Sequence, residues 1–464
     1  MDEKQLVEQI DAFIKENERA IVADIAKLVA VPSISVDTDI PGKPYGENTR
    51  AALDAALEIA RRFGLETNDG EGYVGWAELP GSEAGHLATV THVDVVPEGE
   101  GWTGHPFELA ERDGWLIGRG VVDDKGPSVL CLYIAKFLKE QGIPLRYGFR
   151  VLLGCNEERG MSDVKYYLAH HEAPLFAFSP DASFPVCNGE KGLFNGIFHS
   201  GELDGSFAEF DTGLAANVIA AKASCLLNRP AAGLPETEAV TVADEGGKAR
   251  LTAVGIGGHA ASPAGTKNAI GVLVAYLLEN KLCTERENAF LTLLDKLHSD
   301  PLGGKLGIAC KDEMFRDLTV NGGVMKLVDG KLHQSVDSRY PTVTTGEALS
   351  AALSAEAEKH GATFELLAND KPFYIPADSA AIKTLLDCYS QVTGEDATPF
   401  TMGGGTYARQ FPRAVSYGPS IHGDKLPDFA GPEHAPNEGG SLARLLAALK
   451  IYILAICRLQ SVDF

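Results

Sequence analysis

Leu87-Ala-Thr-Val-Thr-His-Val-Asp-Val-Val-Pro97 is a short, β-branched apolar run that ends on His92 and Asp94. Such a run reads as a strand, and its polar end as the part that meets a ligand. The pattern recurs along the chain: strands are expected at Leu87–Thr91, Phe149–Leu153, Leu175–Phe178 and Ala414–Tyr417. Between the first two, Val129, Leu130, Leu132, Tyr133, Ile134, Phe137 and Leu138 give Ser128–Glu140 the apolarity of a largely buried helix. Strands alternating with helices predict an α/β domain with a mainly parallel sheet and flanking helices.

Toward the N-terminus, Ile10, Phe13, Ile14, Ile21, Ile25, Leu28 and Val29 recur at helical spacing. Leu53–Phe63 reads likewise, and a hairpin-like stretch follows at Tyr73–Leu79. From about Gly189 to Lys371 the character changes. Gly-rich turns and short β-like segments (Ala208–Asp211, Val240–Ala243, Ala249–Val254) mix with helices at Ala269–Glu279 and Glu347–Lys359. After Pro376 the α/β pattern returns with helices Ala380–Val392 and Gly440–Arg458. The expected organisation is an α/β domain in two parts, residues 1–188 and 378–464, interrupted by an α+β insertion at residues 189–377. A chain of 464 residues exceeds what one core usually supports, which agrees with a division.

Apolar residues make up 45% and charged residues 23%, an ordinary globular composition. Asp and Glu outnumber Lys and Arg by 64 to 41, a net charge of −23. That field repels phosphate backbones and anionic lipid, so neither nucleic acid nor a membrane is an expected partner. No apolar run approaches the roughly 20 residues of a membrane span. Met1–Ala20 is charged and amphipathic, unlike a signal peptide. The eight cysteines stand singly with no Cys-x-x-Cys pair, as reduced core residues of a cytoplasmic protein do, and no thiolate metal site is expected.

Further clusters stand at expected strand ends: Asp123-Asp124 within Gly118–Pro127, Glu157-Glu158 within Asn156–Gly160, Asp181 within Ser179–Ala182, and His434 within Gly431–Glu438. In an open α/β sheet, ligands bind beyond the carboxyl ends of the strands, which gathers distant segments around one crevice. Imidazoles with several carboxylates and no thiolate suit Zn²⁺, Mn²⁺ or Co²⁺. Each cluster taken singly has a plainer reading: a hydrogen-bonded structural histidine, a helix N-cap at Asp123-Asp124, a solvated turn at Glu157-Glu158. Their recurrence at strand ends argues for one site.

In this order, HVDVVP, GRGVVDDKGP, NEERGM, SPDASFP and EHAPNE resemble the two-metal aminoacylase/carboxypeptidase/dipeptidase superfamily, and within it the PepV-type dipeptidases, over nearly the whole chain. The resemblance implies that His92 and Asp181 bind one divalent metal ion, Glu158 and His434 the other, and that Asp123 bridges them. It implies that Asp94 orients His92 and that Glu157 is the general base for a water bridging the metals. From the sequence alone Glu157 and Glu158 are interchangeable; only the resemblance separates their roles. In the insertion, His259 and Asn217 resemble residues that approach the reacting carbonyl. Arg339 resembles a residue that grips the substrate's C-terminal carboxylate, a task suited to a guanidinium. Gly404, Gly405 and Thr406 belong to a run able to turn backbone N–H groups toward that carboxylate.

The implied function is a metallodipeptidase for unblocked dipeptides. It would hold two divalent ions, Zn²⁺ foremost with Mn²⁺ and Co²⁺ as alternatives, and take a small peptide as its partner. The length of the insertion resembles a doubled lid, which favours a monomer over a homodimer. The nearest alternative is an N-acyl-amino-acid or succinyl-diaminopimelate-type deacylase of the same superfamily. From a different class, the rival is a metal-dependent binding protein without turnover.

Overall fold

The strand His86–His92 lies between Gly148–Gly154 and Phe176–Ser179, parallel to both, and Ala414–Ser416 extends the parallel set beside Phe176–Ser179. Beyond Gly148–Gly154 the sheet turns antiparallel through Val74–Leu79 to Glu66–Asn68. At its other side Ser416 meets Cys187 antiparallel. The parallel register sets His92 level with Gly154 and Ser416 level with Ser179, so the segments that follow leave from one edge. Leu87, Thr89, Val90 and Thr91 are all buried, as expected of a parallel strand covered on both faces.

The flanking helices include Glu3–Val29, Glu47–Arg62, Lys125–Glu140, Ala380–Thr393 and Leu442–Leu459. Lys125–Glu140 is buried from Val129 to Leu138 except at Lys136, and packs against both the first and the last of these helices. Phe13 meets Phe137 edge-on with ring centroids 5.2 Å apart. Asp24 is buried but satisfied, by Arg62, by Lys27 Nζ at 3.1 Å and by Tyr133 OH at 2.9 Å, so it is structural. At Gly126 a Cβ would stand 2.0 Å from the Val121 carbonyl oxygen. Only glycine lets the loop carrying Asp123 fold onto the start of its helix.

The computed structural model describes residues 3–464 apart from His422 and Asp424. The elements above belong to one unit, the described residues of Met1–Asn188, Tyr374–Phe400 and Thr406–Phe464. A second unit comprises Gly189–Phe373 with Thr401–Gly405, so the chain returns to the first unit at Tyr374 rather than 378 and visits the second once more. The second unit contains an antiparallel sheet ordered Asp211–Thr212, Met325–Val328, Lys331–Tyr340, Gly192–His199, Thr363–Asp370, with Thr319–Asn321 also paired to Lys331–Tyr340. A separate sheet runs Phe207–Glu209, Lys222–Leu227, Lys248–Val254, Val240–Glu245. The strand expected at Ala208–Asp211 is therefore broken: the chain changes sheets at the buried Phe210.

Glu285–Ser299 is a helix the sequence reading omits, although it carries its own start signal. Thr284 Oγ1 accepts from Glu287 N–H and the Glu287 carboxylate accepts from Thr284 N–H, a capping box ahead of buried Phe290, Leu291, Leu293, Leu294 and Leu297. All the cysteines are free. Among the described residues no helix is long and apolar enough to cross a membrane.

Candidate metal and catalytic centre

His92 closes its strand fully buried. Its backbone N–H donates to Asp124 Oδ2 at 3.1 Å and its carbonyl accepts from Ser128 Oγ at 3.0 Å. Nδ1 of the ring faces Asp94, 3.0 Å from the carbonyl oxygen and 3.4 Å from Oδ1. Nε2 is thereby aimed at the other carboxylates, 3.0 Å from Asp123 Oδ1 and 3.8 Å from Asp181 Oδ2, yet makes no hydrogen bond. The second oxygen of Asp123 lies 2.7 Å from Nε2 of His434, and that nitrogen lies 3.2 Å from Glu158 Oε1. One carboxylate thus faces two imidazoles through different oxygens. The sets His92–Asp123–Asp181 and Asp123–Glu158–His434 each place their ligand atoms within 4.8 Å of one another.

Glu157 and Glu158 sit in the single turn Glu157–Arg159 that follows the strand Gly148–Gly154. Their backbone N–H groups donate to Asp94 Oδ1 and Oδ2 at 3.2 Å each, so one buried carboxylate holds both the His92 ring and this turn. Glu158 reaches His434, whereas Glu157 belongs to neither ligand set. Oε1 of each is buried without a hydrogen-bond partner.

Burial raises the Glu157 carboxyl well above the usual carboxylate range, with Glu158, Asp123 and Asp94 adding to it against the pull of His92. Burial and the neighbouring Asp123 raise Glu158 and Asp181 too. Burial would also raise Asp123, but contacts with His434 and His92 hold it below the usual range. Burial would lower His92; the contacts with Asp123 and Asp94 outweigh that and raise it. His434, close to Asp123 and Glu158, is pushed up to about 11. So many carboxylates in a desolvated space are costly unless a cation neutralises them. A divalent ion would also displace the imidazole protons. The orphaned Nε2 and carboxylate oxygens, with no thiolate among them, fit divalent cations.

Asp124 stands at the N-cap position of Lys125–Glu140 but makes no side-chain cap bond; its carboxylate takes the His92 N–H instead. Asp163 is a residue the sequence reading missed. Its Oδ2 accepts from the N–H groups of Cys155 (2.6 Å) and Asn156 (2.9 Å) and from Tyr407 OH, fixing the approach to Glu157. At the start of a helix it reads only as a cap, so no sequence signal singled it out.

In the second unit, Val218 pairs with His259 and Ala260 N–H donates to the Asn217 carbonyl at 2.8 Å, which places Asn217 in the turn just before the strand that pairs with the His259 segment. Arg339 is buried, its Nε and Nη2 each 2.9 Å from an oxygen of Asp337, while Nη1 reaches the Gly403 carbonyl at 3.5 Å. Gly404 and Gly405 fall in this unit and Thr406 in the first, where its hydroxyl bonds Ser416 Oγ at 2.8 Å.

A carboxylate shared between two imidazoles, beside a glutamate free of both, is an arrangement that suits the centre of a metal-dependent hydrolase. The model of peptidase family M20/M25/M40 matches residues 88–458, and the chain belongs to that family. Membership implies two divalent metals. The chain is similar to the Beta-Ala-Xaa dipeptidase of Lactobacillus delbrueckii subsp. lactis, 30% identical over 464 residues that cover 95% of this chain and 96% of that protein. Human carnosine dipeptidase 1 shares the fold with a TM-score of 0.61 at 13% identity, covering 98% of this chain and 99% of that one. Dug1p of Saccharomyces cerevisiae, a di-peptidase, does so with a TM-score of 0.61 at 12% identity, covering 99% of each chain.

Proposed function

We propose that the chain is a cytoplasmic metallodipeptidase that hydrolyses unblocked dipeptides, with Zn²⁺ as its native metal. His92, Asp123 and Asp181 would hold one cation and Asp123, Glu158 and His434 the other, with Asp123 shared. Bound there, the cations supply Lewis acidity: they ease deprotonation of water and polarise a carbonyl oxygen. The observation that carries this reading is the double engagement of Asp123, one oxygen toward each imidazole.

Glu157 is the general base. Its place outside both ligand sets and its unpartnered Oε1 suit it to take a proton from the attacking water and return it to the departing amine nitrogen. Asp94 keeps the His92 ring and the Glu157 turn in one fixed relation. Asn217 and His259 donate to the carbonyl oxygen as it gains charge. Arg339 takes the substrate carboxylate through Nη1, since Asp337 occupies its other edge, and Gly404, Gly405 and Thr406 contribute polar groups to the same end. The second unit serves as the lid and the protein works as a monomer.

The test is competition among an unblocked dipeptide, its N-acetyl form and a tetrapeptide, in Zn²⁺-, Mn²⁺- and Co²⁺-loaded protein. The unblocked dipeptide is expected to have the highest kcat/KM. A preference for the acetylated compound makes the enzyme a deacylase and ends the dipeptidase reading.

A further inference from the structure

Glu438 is fully buried and its carboxylate is saturated with donors. Oε1 accepts from the N–H groups of Val122 at 3.0 Å and Asp123 at 3.2 Å. Oε2 accepts from Gly120 N–H at 3.0 Å and from Arg119 Nη1 at 2.8 Å. Arg119 is itself buried; its Nη2 donates to the carbonyls of Glu98 at 3.2 Å and His434 at 3.3 Å, and its guanidinium lies 5.3 Å from the centre of the Trp102 ring. The pair therefore binds three loops at once: the one that follows His92 and Asp94, the one carrying Asp123, and the one carrying His434.

A buried ion pair is a poor source of net stability, because desolvation cancels most of the attraction. It does impose direction, since a guanidinium fork and a carboxylate meet their partners along fixed lines. The loop it grips needs such a hold. His434 sits at φ 63° and Asn437 at φ 57°, in the left-handed region that costs a side-chain-bearing residue about 1–2 kcal/mol. Arg119 bonds the carbonyl of His434 itself, and Glu438 bonds the N–H of Asp123 itself.

We propose that Arg119 and Glu438 are a positioning pair that sets Asp123 and His434 opposite each other, and so governs the cation affinity of the Asp123–Glu158–His434 set above that of the His92–Asp123–Asp181 set. This rests on the reading of those residues as ligands. Groups that orient metal ligands typically contribute about 10–100-fold in affinity.

Zn²⁺ alone is titrated into metal-free protein against a chromophoric chelator, without substrate, and the thermal midpoint of each metal-free variant is recorded. Glu438→Gln is expected to weaken one of the two Zn²⁺ steps by about 10–100-fold. The step affected should be the one His434→Ala abolishes, so Glu438→Gln should add nothing in a His434→Ala background. Arg119→Lys keeps the charge but loses the fork, and should weaken the same step less. Leu57→Ala, a core truncation on Glu47–Arg62, should lower the midpoint and leave both steps unchanged. If Glu438→Gln and Arg119→Lys alter both steps by less than about twofold, the additivity error of independent sites, the proposal is overturned. If Glu438→Gln does not fold, the result for Arg119→Lys decides. If neither His92→Ala nor His434→Ala lowers the Zn²⁺ stoichiometry, the ligand reading itself fails, which is a different outcome.

Discussion

The two units hold their polar groups in opposite ways. At the strand ends of the first, His92 Nε2, Glu157 Oε1 and Glu158 Oε1 are buried and make no hydrogen bond, and several carboxylates share one desolvated space. In the second, Arg339 is gripped along one edge by Asp337, and the Asn217 and His259 segments are paired strand to strand. Unpartnered groups among crowded carboxylates suit a cation nearby, because unneutralised buried charge is costly. Groups already satisfied are built to keep one orientation and lend a spare donor. The first arrangement should fail abruptly when altered and the second by degrees.

The largest effect is expected at Glu157, which belongs to neither ligand set. Glu157→Gln should retain both metals by elemental analysis while turnover falls by about 10²–10⁴-fold or more. A near-normal rate in the metal-loaded variant would remove Glu157 from its role. Next comes His434→Ala, which should lower metal content and activity together, with little rescue by added metal. Full occupancy in that variant would point to another histidine; His422, the nearest in sequence to this segment, lies outside the described residues.

In the second unit the losses should be graded. Arg339→Ala removes a charge-assisted hydrogen bond, about 1.5–3 kcal/mol, so kcat/KM for a dipeptide should drop at least about tenfold. An amidated dipeptide should lose much less, and equal losses would show that Arg339 only neutralises Asp337. The smallest effect concerns pH. Burial lowers His298 from 6.5 to about 4 despite its bond to Gln334 at 3.2 Å. The residue is only part-buried by area, but its Nδ1 is enclosed and unpartnered. Between those pH values the unfolded chain takes up a proton that the folded one refuses. Stability is therefore lost as pH falls from 6.5 to about 4, by on the order of 2 kcal/mol. His298→Gln should flatten unfolding midpoints across that window; an unchanged slope would show that His298 does not report on it.

The recurrence of strand and helix was legible because its signals are local. Val129, Leu130 and Phe137 mark a buried helix wherever the chain goes, and His92, Asp123, Glu157, Glu158, Asp181 and His434 could be picked out as strand-end chemistry. Glu285–Ser299 was missed although its capping box is equally local, so that omission was one of reading rather than of information. The break at Phe210 was not legible, since which sheet each half joins is decided by partner strands far away in the sequence.

By itself the sequence determined an α/β frame, an inserted region of different character and the inventory of imidazoles and carboxylates, all properties of residues near one another along the chain. Only the tertiary structure decided which of two adjacent glutamates meets His434, that Asp123 turns one oxygen to each imidazole, and that Asp124 serves His92 rather than its own helix. It also decided that Arg119 and Glu438, 319 residues apart, close on each other beneath the site. The reason is geometric: these pairings depend on the parallel register of strands and on loops brought together by folding, and neither leaves a trace in local periodicity.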